Sequence, residues 1–162
     1  MSAADTQNVQ DHKESAASNG ARQRLGATHR INIDADQQAV FAALSTAEGW
    51  SSWFTPEVTG DFTVGSEIVC TPNERSTIRL RVISMAPDVA ITFEALEGPF
   101  AASGATTAIR LVSAADGRTA VSLQHDTPPV PDEDLAACNT YWGILLGQLR
   151  QYCQTRTAAT VL

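Results

Sequence analysis

The chain has 162 residues with a formal net charge of −7, of which 43% are hydrophobic and 18% charged. That is enough for one domain with a substantial core and too little for two, and it is neither a disordered nor a membrane composition. The basic residues are scattered arginines with Lys13 the sole lysine, which argues against a nucleic-acid partner or an anionic membrane surface.

Residues 1–27 are rich in Ala, Ser, Gln, Asn and Asp, with Val9 and Leu25 the only sizeable aliphatics after Met1. Such a segment cannot bury enough apolar surface to offset its ordering entropy. We expect a disordered N-terminal extension over 1–27 and one domain over 28–158. The N-terminus lacks the apolar centre of a secretory signal, and no apolar run approaches the roughly 18 residues of a membrane span, so the expected location is the cytoplasm.

THRINIDAD alternates Ile31 and Ile33 with Arg30, Asn32 and Asp34, the period of a half-buried strand. Asp34 or Asp36 can cap a following helix, DQQAVFAALST, with Val40, Phe41 and Leu44 on one side. Gly49 is expected to interrupt it, and GWSSWF to form a second short helix before Pro56. From Glu57 to Asp126 the pattern becomes strands between turns. Ile68 and Cys70 alternate with Glu67 and Val69, and Pro72 with Asn73 is expected to turn the chain. In STIRLRVISMAP, Ile78, Leu80 and Val82 share one face and Arg79 and Arg81 the other, where Glu67 or Glu94 can pair with them across strands. A bulge that brought one arginine inward would make it an anion anchor instead. In VAITFEAL, Val89, Ile91, Phe93 and Ala95 share a face. TTAIRLVSA and RTAVSLQHD form a hairpin around Asp116-Gly117.

A Pro-rich link, residues 127–131, delivers the chain to a long helix from Asp132 to Arg156, whose first turn carries Asp132, Glu133 and Asp134 in keeping with the helix dipole. Leu135, Cys138, Trp142, Leu145, Leu146, Leu149, Tyr152 and Cys153 recur at three- and four-residue steps and form one broad apolar face. Glu133, Thr140, Gly147, Gln151 and Gln154 fall on the other, with Gly143 assigned there too. Cys138 and Cys153 are about 22 Å apart along such a helix, too far for a disulfide, and all three cysteines read as small buried residues. The element order is that of an α+β domain with a curved antiparallel sheet packed on the helix.

The stretches RINIDADQQAVFAALSTAEGWSSWF, TGDFTVGSE, VISMAPDVAITFEAL, RTAVSLQHD and NTYWGILLGQLRQY occur in the order found in the SRPBCC, or START-like, superfamily. Within it the chain is most similar to the group named for the activator of the heat-shock-protein-ninety ATPase. The resemblance covers residues 28 to about 156. It implies a helix-grip fold, in which a sheet of about seven strands wraps the C-terminal helix, with two short helices after the first strand and a cavity between helix and sheet. It also implies a small apolar or aromatic ligand in that cavity, and no catalytic motif stands out in the residues. The alternatives are a co-chaperone-like protein acting on the heat-shock-protein-ninety ATPase, and an enzyme of the polyketide cyclase/aromatase or hydrolase kind.

The residues expected to face such a ligand are Trp50, Trp53, Phe54, Leu80, Val82, Phe93, His125, Trp142, Leu146 and Leu149. The aromatic group has a second reading, as core where the short helices meet the sheet. His125 shares strand parity with Val121 and Leu123 and is the candidate for proton transfer; its other reading is a histidine satisfied near a strand end. His12, His29 and His125 are too dispersed for a metal site, and no cofactor is expected.

Overall fold

The computed structural model describes residues 25–98 and 104–161. Most of the expected N-terminal extension, and the middle of the loop at 99–103, lie outside the described residues. The first strand, β1 (Leu25–Ile33), begins three residues before the expected Thr28. Its inward side carries Ala27 and Ile33, both buried, with His29 and Ile31 half-buried between them.

Two short helices follow, α1 (Gln37–Leu44) and α2 (Ala47–Trp53). Asp36, not Asp34, is the cap of α1, its carboxylate accepting from the Ala39 N–H at 2.7 Å. Thr46 caps α2 by accepting from the Gly49 N–H at 3.0 Å. The break between the helices therefore falls at Ser45–Thr46, and Gly49 sits inside α2 instead of ending α1. The reason is contact: a Cβ on Gly49 would lie 2.5 Å from the Ala43 carbonyl oxygen, so only glycine lets the helices approach this closely. The Trp50 and Trp53 indole N–H groups donate to the Leu44 and Ala43 carbonyls, each at 2.8 Å. These bonds satisfy acceptors at the end of α1 that the helix itself cannot.

The remaining strands are β2 (Val58–Thr59), β3 (Glu67–Asn73), β4 (Ser76–Ala86), β5 (Ala90–Glu97), β6 (Thr106–Ser113) and β7 (Thr119–Thr127). Every neighbouring pair is antiparallel, in the order β1-β7-β6-β5-β4-β3-β2. Pro72 and Asn73 end β3 within an irregular stretch of its ladder, and the turn itself comes after them. Val89 does not share the inward face: it is 49% exposed, beside Asp88, whose positive φ of 64° reverses the chain.

Irregularities in the β4–β5 ladder leave Leu96 and Ile83 without opposite partners. Even so, neither arginine is turned inward. Arg79 and Arg81 stay on the wet face, both bonded to Glu67, with Arg81 also 3.8 Å from Glu94. Such exposed pairs add little stability. In the β6–β7 hairpin, Gly117 supplies the positive φ of 81° and Asp116 binds Arg118.

The chain then forms α3 (Asp132–Val161), whose first backbone donors, Asp134 and Leu135, bond the Pro131 carbonyl. Leu145, Leu146, Leu149 and Cys153 press into a core with Ile33, Val40, Leu44, Trp50, Ile68, Val82, Phe93, Val121 and Leu123. The molecule is a helix-grip α+β domain: a seven-stranded sheet with a long helix across its inner face. Gly143 does not face away from the grip, because its Cβ position is 3.8 Å from the His29 ring on β1; Gly147 does, with nothing within 4 Å. Gln154 also turns back, its side-chain carbonyl accepting from the Asp34 N–H at 3.0 Å. Among the described residues, no helix is long and apolar enough to cross a membrane.

Candidate functional site

The β6–β7 register sets Thr107 opposite His125. Both side chains point toward α3 and both are buried, at 7% and 3% exposure. Thr107 Oγ1 and His125 Nδ1 are 2.9 Å apart, and His125 Nε2 lies 3.6 Å from Cys138 Sγ on α3. The Trp142 ring, one helical turn further on, is tilted against the imidazole with centroids 6.1 Å apart.

These groups form part of the wall of a cavity of about 60 Å³ between α3 and the sheet. Ile78 and Leu80 of β4 and Ala95 of β5 line its sheet side, Tyr141 and Leu145 its helix side, and Trp50 and Phe54 one end. Apolar walls with a few convergent polar groups are what a small-molecule site requires. A larger groove of about 420 Å³ runs over α1, α2 and the end of α3, past Asp36, Glu48, Cys153 and Arg156, and its walls are more polar than those of the cavity beside His125. Among the described residues, no group of three or more His, Cys, Asp and Glu is placed to hold a metal ion.

Burial controls the charge of the site. Desolvation pushes the His125 pKa below its ordinary 6.5, against a smaller opposing pull from Asp126, and pushes the Cys138 thiol up, against a smaller effect of a Trp142 hydrogen bond. At neutral pH the pair is therefore a neutral imidazole beside a neutral thiol. A histidine whose folded pKa is lowered binds its proton more readily in the unfolded chain, so stability is full above 6.5 and falls as pH drops toward the folded value. Within that window the His125 contribution declines by up to about 1.4 kcal/mol per pH unit. Melting curves from pH 7 down to pH 5 should show a steeper decline for the unaltered chain than for His125→Gln; parallel declines would show that His125 is not held neutral.

A family model described as activator of Hsp90 ATPase homolog 1-like protein matches residues 34–154. The chain belongs to this family. Solved structures resemble the AHSA1-like domain over most of its length. The Aha1 dimer from Colwellia psychrerythraea is 23% identical, covering 80% of this chain and 96% of that one, with a TM-score of 0.72. DynU16, from the dynemicin biosynthetic locus, is 16% identical over 78% of this chain and 46% of its own, with a TM-score of 0.69. MLL2253 from Mesorhizobium loti is 12% identical over 78% and 95%, also at 0.69. At these identities the likeness establishes the fold alone. No curated protein sequence matches the chain significantly.

The AHSA1-like fold distributes the ten expected ligand-facing residues unevenly. Trp50, Phe54, Leu80, His125 and Trp142 line the cavity. Trp53, Val82, Phe93, Leu146 and Leu149 do not; they are packed into the solid core on either side of it. Phe93 is instead held edge-on between Trp50 and Phe62, at 5.3 and 6.2 Å. Thr107 and Cys138, the two groups bonded to His125, were absent from the expected set. Thr107 was accessible to counting, because equal steps back from the Asp116 turn place it opposite His125. Cys138 lay on the predicted apolar face, but no sequence signal states how high along the sheet the helix sits.

Proposed function

We propose that this AHSA1-like domain binds a small apolar molecule in the cavity between α3 and the sheet, with His125 and Tyr141 as its polar contacts. The observation that carries this reading is the convergence of one imidazole, one thiol, one phenol and the Thr107 hydroxyl on a mostly apolar cavity, with the exposed Glu97 also in its lining. Its volume bounds the ligand. A cavity that admits benzene measures about 150 Å³, so the present one, about 60 Å³, takes only a few heavy atoms as it stands. A planar ring would require Tyr141 and Trp142, both half-exposed, to swing outward.

A panel of small apolar and aromatic compounds should raise the melting temperature. Saturation at a hundredfold excess over Kd contributes about 2.7 kcal/mol, several degrees for a domain of this size. Ala95→Leu, which fills the cavity, should abolish the shift while leaving the domain folded. Melting curves that no compound moves, or shifts that survive Ala95→Leu, would remove the proposal.

A second reading, action on the Hsp90 ATPase through the outer surface, is favoured by the description of the family model. It requires the purified domain to stimulate that ATPase. An unchanged rate in the presence of complex-forming concentrations would eliminate it.

A further inference from the structure

We infer that Cys138 and His125 form a site of covalent attachment for a small, apolar, electron-poor alkene, such as an enone or enal. The inference rests on the cavity-binding reading above and specifies the chemistry of its ligand. Three features of the structure support it. Cys138 Sγ and His125 Nε2 are 3.6 Å apart in the wall of the same enclosure, so a molecule held there meets both nucleophile and base. Thr107 Oγ1, 2.9 Å from Nδ1, fixes the ring from its other side. The other two thiols are differently placed: Cys70 sits in the solid core and Cys153 in the wall of the groove over α1 and α2, and neither lines the cavity that holds His125.

The class of electrophile follows from the walls. A displacement that expels an anion would leave a charge in an apolar enclosure, which is costly. Acyl transfer likewise expels a leaving group, for which a cavity of about 60 Å³ has little room. Addition across a polarised C=C bond expels nothing, and the enolate it forms is transient, is matched by the imidazolium, and can accept from the Tyr141 phenol in the same wall. Sulfur bonds to the β-carbon and the π pair moves into an enolate. The thiol proton passes to Nε2, and the imidazolium then returns it to the α-carbon. The product is a neutral thioether; nothing departs and nothing is oxidised or reduced. This direction of proton flow requires Nδ1–H to donate to Thr107 Oγ1, leaving Nε2 as the acceptor.

The test treats the full-length chain with methyl vinyl ketone and, in parallel, with methyl ethyl ketone, its saturated counterpart. Intact mass and peptide mapping should show one adduct on Cys138 and none on Cys70 or Cys153, and Cys138→Ser should abolish it. His125→Gln should slow adduct formation by roughly tenfold or more, as loss of a general base does. Thr107→Val, which frees the ring without removing it, should slow it less and serves if His125→Gln does not fold by circular dichroism. A melting shift with the saturated ketone but no adduct with the enone overturns covalent attachment and leaves the binding reading standing. Neither shift nor adduct overturns both. Equal labelling of all three cysteines, or an unchanged rate in both variants, also overturns the inference.

Discussion

Trp50→Ala is expected to lower the stability of the domain by about 4 kcal/mol, the cost of emptying a large aromatic site. Trp50 is 1% exposed, and its ring meets Trp53, Phe54, Phe62 and Phe93 at centroid distances of 4.8, 5.5, 6.0 and 5.3 Å. It thus joins α2 to the sheet and to the segment before β3. The substitution also strips the Leu44 carbonyl of its indole donor. Against a total of roughly 5–15 kcal/mol, the loss leaves the domain marginal and lowers the midpoint by about 12 °C or more. Trp50→Phe, which loses the hydrogen bond but keeps much of the ring, should cost about half as much. Urea unfolding of the three proteins checks this; a loss below about 1.5 kcal/mol for the alanine variant would show that the aromatic cluster does not hold α2 in place. Because Trp50 also walls the cavity, an alanine variant that remains folded should accept larger ligands.

Gly49→Ala carries the next largest expected cost, about 2 kcal/mol, opposite in sign to the gain of up to about 1 kcal/mol that alanine brings inside a free helix. The added methyl would lie 2.5, 2.7 and 2.8 Å from the Ala43 carbonyl oxygen, Cα and carbonyl carbon. Those are backbone atoms, so relief comes only by moving α1 and α2 apart. The same oxygen accepts the Trp53 indole N–H, and a shift stretches that bond as well. Thermal unfolding of Gly49→Ala beside Gly49→Ser should show both destabilised. An alanine variant as stable as the parent would mean that the two helices have room to separate.

The strands and the long helix were legible because each buries one face, and burial imposes a period that the chain displays directly. Ile78, Leu80 and Val82 against Arg79 and Arg81 is such a pattern, and the arginines do face water. The extra residues Leu96 and Ile83 were not legible, since a bulge is a relation between two strands and neither strand alone records it. The site was legible in outline only. Parity placed His125 inward, and it is buried there. Parity does not separate inward residues that fill the core, such as Phe93 and Leu149, from those that stop short and leave space, such as Leu80. That distinction depends on the depth at which α3 settles. The Ser45–Thr46 break escaped for a different reason: Gly49 signals a helix end by propensity, while here it serves a helix crossing.

The sheet order places β1 beside β7, although β7 begins roughly ninety residues later in the chain. Strands β3 to β7 each pair with a neighbour in sequence and can form as they appear. The first strand cannot. On a ribosome adding about 5–20 residues per second, β1 emerges several seconds before its partner exists, and it carries Ala27, Ile31 and Ile33 on a face with nothing to cover it. Until residues 119–127 are made, its ladder is open to any other extended chain nearby. Completion of the sheet is thus tied to completion of the polypeptide, and a chain halted before β7 would leave the ribosome with its first strand still available to associate wrongly.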